Sequence, residues 1–159
     1  MVFKFGENSV ERLMTCHEDL QKILYAAIRM SPIDFGIAEG HRPLNVQREY
    51  YAIGRTRELH RKPITDVDGI NKMGKHNKEP SEAADIYIWH ADKATRMKIA
   101  YDNVHLSYVM GIIHACAGSL LDQGQITHKI RWGGNWDGDG IIKFDQGLID
   151  FPHVEIIQV

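Results

Sequence analysis

The chain has 159 residues, 43% hydrophobic and 25% charged, with 19 Lys and Arg set against 21 Asp and Glu for a formal charge of −2. That size and composition suit one globular domain over residues 1–159. The near balance of charge argues against a nucleic-acid binder, which carries a basic excess.

One local exception is the basic run Arg55, Arg57, His60, Arg61 and Lys62, which reads as a solvated face or as a contact with an anionic polymer. The opening MVFKFGENSVERL has neither the apolar core nor the small-residue cleavage site of a signal peptide. No stretch reads as a membrane span, so membrane insertion is not expected. The expectation is a monomer kept in the cytoplasm until something releases it. Cys16 and Cys116 each sit in an apolar, helix-like stretch, the habit of buried thiols rather than of a disulfide framework.

Asn8 to Glu11 and Thr15 to Glu18 have capping-box spacing. Leu13, Cys16, Leu20, Ile23, Leu24, Ala27 and Ile28 follow at helical period, so the pattern predicts helix with a joint near Thr15, stopped by Pro32. Residues 34–39 alternate and read as a strand. Pro43 opens a helix that runs to Ile53 and closes at Gly54. Residues 55–82 are polar with little periodicity; loops of that length in compact domains tend to be functional. Residues 83–89 read as a strand and residues 92–121 as helix, with a break near Asp102 and Asn103. A strand over 126–132 ends at Gly133 and Gly134, a turn-rich stretch covers 136–147, and a last strand covers 153–159. This arrangement predicts an α+β fold with a small antiparallel sheet packed with helices.

The chemistry-bearing residues fall in two segments. Nine histidines are present, so a single one says little. His105 and His114 lie in helical sequence, and His17, His60, His90 and His128 have no acidic or histidine partner at ligand spacing. His76, however, lies in the polar loop, and Asp85 falls inside an apolar strand. An aspartate there is costly unless paired or metal-bound, and both readings stay open. Alternation places Asp85, Tyr87 and Trp89 on one face and Ala84, Ile86 and Ile88 on the other. In the second segment Asp150 stands three residues before His153, and Pro152 biases Phe151 to extended backbone. Such a pair can set a carboxylate beside a metal-bound water while the imidazole binds the metal.

Together EGHRPLNVQ, KHNKEPSEAADIY and WGGNWDGDG…DFPHVEI resemble the zinc peptidases that include D-alanyl-D-alanine carboxypeptidases and phage L-alanyl-D-glutamate endopeptidases. The order of motifs matches over nearly the whole chain. The resemblance implies the hedgehog/DD-peptidase-like fold and a Zn2+ cofactor held by His76, Asp85 and His153. It further implies Asp150 as the base that activates water, Arg42 as the cation that holds substrate and supports charge on the scissile carbonyl, and Gln47 as a substrate-side residue whose role is to support Arg42. Trp132, Gly133 and Gly134 resemble the turn before the active site, where glycines let backbones approach closely, and a plain hairpin turn fits them equally.

This sequence departs from the common pattern in two places. His76 and Asp85 are nine residues apart, with Pro80 and Ser81 in the gap, and Gly74 stands where a hydroxyl residue is common. Residues 137–140, DGDG, look like half of a calcium loop, but the remaining ligands are missing and no second metal is expected.

The function implied is cleavage of the peptidoglycan stem peptide, foremost as an endolysin-type L-alanyl-D-glutamate endopeptidase acting in host lysis. The alternatives are a D-alanyl-D-alanine carboxypeptidase or dipeptidase of the same fold, and a non-catalytic zinc-stabilised binding domain.

Overall fold

The structure, a computed structural model, describes residues 2–142 and 147–159. Part of the expected turn-rich stretch, residues 143–146, lies outside the described residues. Five helices, α1 (Glu7–Leu13), α2 (Glu18–Met30), α3 (Leu44–Ala52), α4 (Lys93–Ile99) and α5 (Asn103–Asp122), accompany four strands, β1 (Phe35–Glu39), β2 (Ala83–Ile88), β3 (His128–Trp132) and β4 (His153–Gln158). The strands form one antiparallel sheet in the order β1-β2-β4-β3. The α+β expectation therefore holds, and the elements fall where periodicity placed them.

Two caps differ from expectation. Helix α1 is already running at Asn8, from an extended Gly6 whose carbonyl accepts from the Ser9 and Val10 amides. Thr15 is not the cap of α2, because its hydroxyl donates to the Arg12 carbonyl at 2.6 Å and accepts from the His41 amide at 2.8 Å. His17 caps α2 instead, its Nδ1 accepting from the Asp19 amide. The break at Asp102 is as expected, with its carboxylate capping α5 through the His105 amide.

One face of the sheet is apolar and buried. Ala84, Ile86 and Ile88 of β2 and Val154 and Ile156 of β4 pack in one core with Leu20, Ile23, Leu24 and Ala27 of α2 and Leu106, Met110 and Ile113 of α5. Both cysteines are buried and free, as expected, and burial pushes the Cys16 thiol up to about 11. Helix α5 corrects one expectation: it is long and apolar enough to cross a membrane by length and composition. In this fold it lies against α2, β2 and β3 and contributes six residues to the core.

The other face of the sheet is polar, and its order comes from register. Asp85 pairs with Glu39 on one side and His153 on the other, and one step further along the same face Glu155 pairs with Ala83 and Arg131. Glu39 reaches this face through a bulge. Ile37 pairs with Ile86 but Glu39 pairs with Asp85, so Ala38 is the extra residue. Without that bulge, alternation would send Glu39 toward the core with Phe35 and Ile37.

Candidate metal centre and cleft

An open cleft of about 1010 Å³ lies over the polar face, and Arg42, Tyr50, His76, Asp85, Asp150 and His153 are among its walls. Strand β2 carries Asp85, β4 begins at His153, and His76 sits in a 3-10 turn at Lys75–Asn77. The longer spacing between His76 and Asp85 is taken up by a loop fastened to the α1–α2 joint. The Ser81 amide donates to the Thr15 carbonyl at 2.9 Å, and the His17 amide to the Ser81 carbonyl at 2.7 Å. Gly74 has no hydroxyl to offer, and Asn77 supplies the local bonds: its Oδ1 accepts from the Gly74 amide and its Nδ2 donates to the Arg42 carbonyl.

Three ligand atoms meet in a triangle. His76 Nε2 is 3.2 Å from Asp85 Oδ1 and 3.2 Å from His153 Nδ1, and His153 Nδ1 is 3.1 Å from Asp85 Oδ1. A tetrahedral ion with bonds of about 2.0–2.1 Å separates its ligand atoms by roughly 3.3 Å. The edges therefore fit one face of a zinc-sized tetrahedron, and two imidazoles with one carboxylate suit zinc chemically. The far nitrogen of each ring has its own acceptor: His76 Nδ1 lies 2.7 Å from the Gly40 carbonyl oxygen, and His153 Nε2 lies 2.9 Å from Glu155 Oε2.

The metal-free electrostatics follow from this crowding. Burial opposes ionisation of Asp85, but His76 and His153 outweigh it and hold the carboxyl below its ordinary range. Burial also works against protonation of His153, yet hydrogen bonds to Asp85 and Glu155 push it up to about 9.

Asp150 is fixed by backbone rather than by its side chain. Its amide donates to the Gly133 carbonyl at 2.9 Å, and the Gly133 amide donates to the His153 carbonyl at 3.0 Å. A Cβ on Gly133 would run into the Asp150 carbonyl oxygen, so the close approach expected of this glycine is real. Among the described residues no side chain hydrogen-bonds the Asp150 carboxylate. Burial raises its pKa first and the charge on Asp85 adds to that, against the pull of His153, His76 and Arg42.

Arg42 is heavily engaged. Its guanidinium pairs with both oxygens of Glu39, donates from Nη1 to Gln47 Oε1 at 3.0 Å, and stands 3.6 Å from Asp85 Oδ2. Gln47 is 1% exposed, and its amide nitrogen donates to the Val67 carbonyl at 2.6 Å. The Gln47 amide thus bonds both Arg42 and the long loop.

Sequence reasoning missed Glu39, Glu155 and Arg131. The available signal was a glutamate at the end of one apolar strand and another two residues after His153; their partners required the sheet register. It also missed a second grouping, His17, Asp19 and His128, whose donor atoms lie within 4.8 Å of one another. Here each of the three residues already has a hydrogen-bond partner. Asp19 Oδ2 accepts from the Thr127 amide at 2.8 Å, the Thr127 hydroxyl at 3.2 Å and His128 Nδ1 at 2.7 Å, while His17 Nδ1 serves the helix cap. This cluster fastens the start of α2 to the start of β3.

The fold and the His–Asp–His grouping with a neighbouring carboxylate define an α+β protein built around a candidate hydrolytic centre. A solved structure of the same fold, the L-Ala D-Glu endopeptidase ChiX of Serratia marcescens, superposes with a TM-score of 0.67 at 21% identity, covering 98% of this chain and 91% of that one. The family model for phage L-alanyl-D-glutamate peptidase matches residues 1–157, and the chain belongs to that family. The L-alanyl-D-glutamate peptidase of Escherichia phage T5 is 27% identical over 161 residues, spanning 99% of this chain and 100% of the relative.

Proposed function

We propose that this peptidase cleaves the bond between L-alanine and D-glutamate in the peptidoglycan stem peptide, with zinc held by His76 Nε2, Asp85 Oδ1 and His153 Nδ1. The ligand triangle, with edges of 3.1–3.2 Å, is the observation that carries the metal. When bound, the ion supplies a Lewis acid that polarises the scissile carbonyl and makes water acidic enough to attack at neutral pH.

The chain's own residues supply the rest. Among the described residues no side chain ties down the Asp150 carboxylate, and it takes the proton of the attacking water. The proton then passes from Asp150 to the leaving amine of D-glutamate as the carbon–nitrogen bond breaks. Arg42, clamped by Glu39 and Gln47, is a positive group in the cleft wall that holds substrate and supports charge on the carbonyl oxygen. The clamp keeps it from swinging out to solvent, so little reorganisation is needed during the reaction.

The biological setting that goes with this activity is a phage endolysin. It is made in the host cytoplasm, is released to the wall at lysis and works as one catalytic unit. The test is digestion of purified peptidoglycan by zinc-loaded protein, with mass spectrometry of the products. New amino termini at D-glutamate, lost on chelation and restored by zinc, are expected. Release of terminal D-alanine alone would replace this reading with a carboxypeptidase. No cleavage by protein with zinc bound would leave a binding domain.

A further inference from the structure

Two histidines face the ligand triangle, and they are oriented by different means. The proton-bearing nitrogen of His76 is satisfied by a backbone carbonyl, that of Gly40. That of His153 meets a carboxylate, Glu155 Oε2, at 2.9 Å. Glu155 is only 4% exposed, an expensive place for a glutamate unless its charge is answered. The answer comes from the neighbouring strand. Arg131, in register with Glu155, donates through Nε at 2.9 Å and through Nη2, both to Oε1. The other oxygen is therefore left for His153. The Trp136 ring lies 5.1 Å from the His153 ring and 5.6 Å from the Arg131 guanidinium, so one indole borders both ends of this chain of contacts. On the far side, the residue in register with Glu155 is Ala83, which brings no competing donor.

We infer that Glu155, held by Arg131, is a positioning residue that fixes the Nε2–H form of His153 and so presents Nδ1 to the metal. An imidazole has two nitrogens, and only the one without a proton can bind a metal ion. A buried carboxylate, which can only accept, decides between them by taking the Nε2–H, and it makes the bound nitrogen more basic than a carbonyl partner does. His153 is then the more tightly specified of the two histidine ligands. Its orientation depends on a residue outside the ligand set and on a cation from another strand.

This inference rests on zinc binding at His76, Asp85 and His153, and the experiment separates the two ideas. Zinc dissociation constants are measured by chelator competition for wild type, Glu155→Ala and Glu155→Gln, with ¹⁵N NMR of His153 in the zinc-loaded wild type. Glu155→Ala is expected to weaken zinc binding about 10- to 100-fold, and Glu155→Gln, whose amide oxygen still accepts the N–H, by less. The spectrum should show metal on Nδ1 and a proton on Nε2, a signature that a merely structural role for Glu155 does not require. Should Glu155→Ala fail to fold, Glu155→Gln and the wild-type spectrum decide. Zinc affinity unchanged in Glu155→Ala, or coordination of His153 through Nε2, overturns the positioning role alone. A wild type that binds no zinc overturns the metal site along with it.

Discussion

Replacing Asp150 with Asn separates catalysis from structure. The carboxylate receives no side-chain hydrogen bond from the described residues, and the position of residue 150 is set by a backbone bond to Gly133 that an asparagine keeps. A general base contributes about 10²- to 10⁴-fold, which is roughly 2.7–5.5 kcal/mol of barrier. Asp150→Asn should therefore lower kcat by that factor while zinc stoichiometry stays unchanged. Stability should move the other way. Burial and the neighbouring Asp85 charge raise the Asp150 pKa, so in the metal-free fold its ionised form is disfavoured relative to the unfolded chain. The sign follows: above the ordinary carboxylate range the charged group costs stability, and a neutral amide relieves that cost. The metal-free variant should melt at the same temperature as wild type or higher at neutral pH, and the difference should shrink as the pH falls and the wild-type carboxyl is protonated. Peptidoglycan turnover, zinc content and thermal melts measure the three quantities. A variant that loses activity, zinc and stability together would show that Asp150 is a ligand or a structural anchor and not a base.

Glu39→Ala removes the bidentate partner of Arg42, whose side chain is 12% exposed; the loss should be about 2–3 kcal/mol, read by urea denaturation, and a change below about 0.5 kcal/mol would discount the clamp. At 159 residues that corresponds to a melting temperature lower by roughly 4–12 °C. In the metal-free protein His153 is raised from 6.5 to about 9, so the stability it contributes is fully present below pH 6.5 and lost as the pH rises through about 9. Zinc uptake at pH 7.5 must then release about one proton from this ring, which calorimetry in buffers of different ionisation enthalpy detects; heats independent of buffer would contradict it. Gly133→Ala forces the backbone away from the Asp150 carbonyl, so kcat should fall at least about tenfold with zinc retained, and wild-type turnover would mean that the Asp150 position tolerates the shift.

Much of this protein was legible along the chain. Helical period located α2 and α5, and apolar alternation located β2 with Asp85 facing away from Ala84, Ile86 and Ile88. A carboxylate inside such a strand, a histidine in a polar loop and an Asp–x–x–His step into the last strand are local patterns, and local patterns survive in sequence. The bulge at Ala38 is different, because nothing in FGIAE says that Glu39 must leave the face of Phe35 and Ile37. That choice is made by what lies on the polar face: Arg42, which also stands 3.6 Å from Asp85 Oδ2, gives the Glu39 carboxylate a partner that the apolar core does not. Glu155 is the same case, a charge whose buried place is justified only by Arg131 on the next strand and His153 two residues before it. The candidate ligand types were thus written in residue order and spacing. Which nitrogen of each ring faces the His76–Asp85–His153 triangle, and what holds the arginine, depend on contacts between residues far apart in the chain, and only the packed sheet creates them.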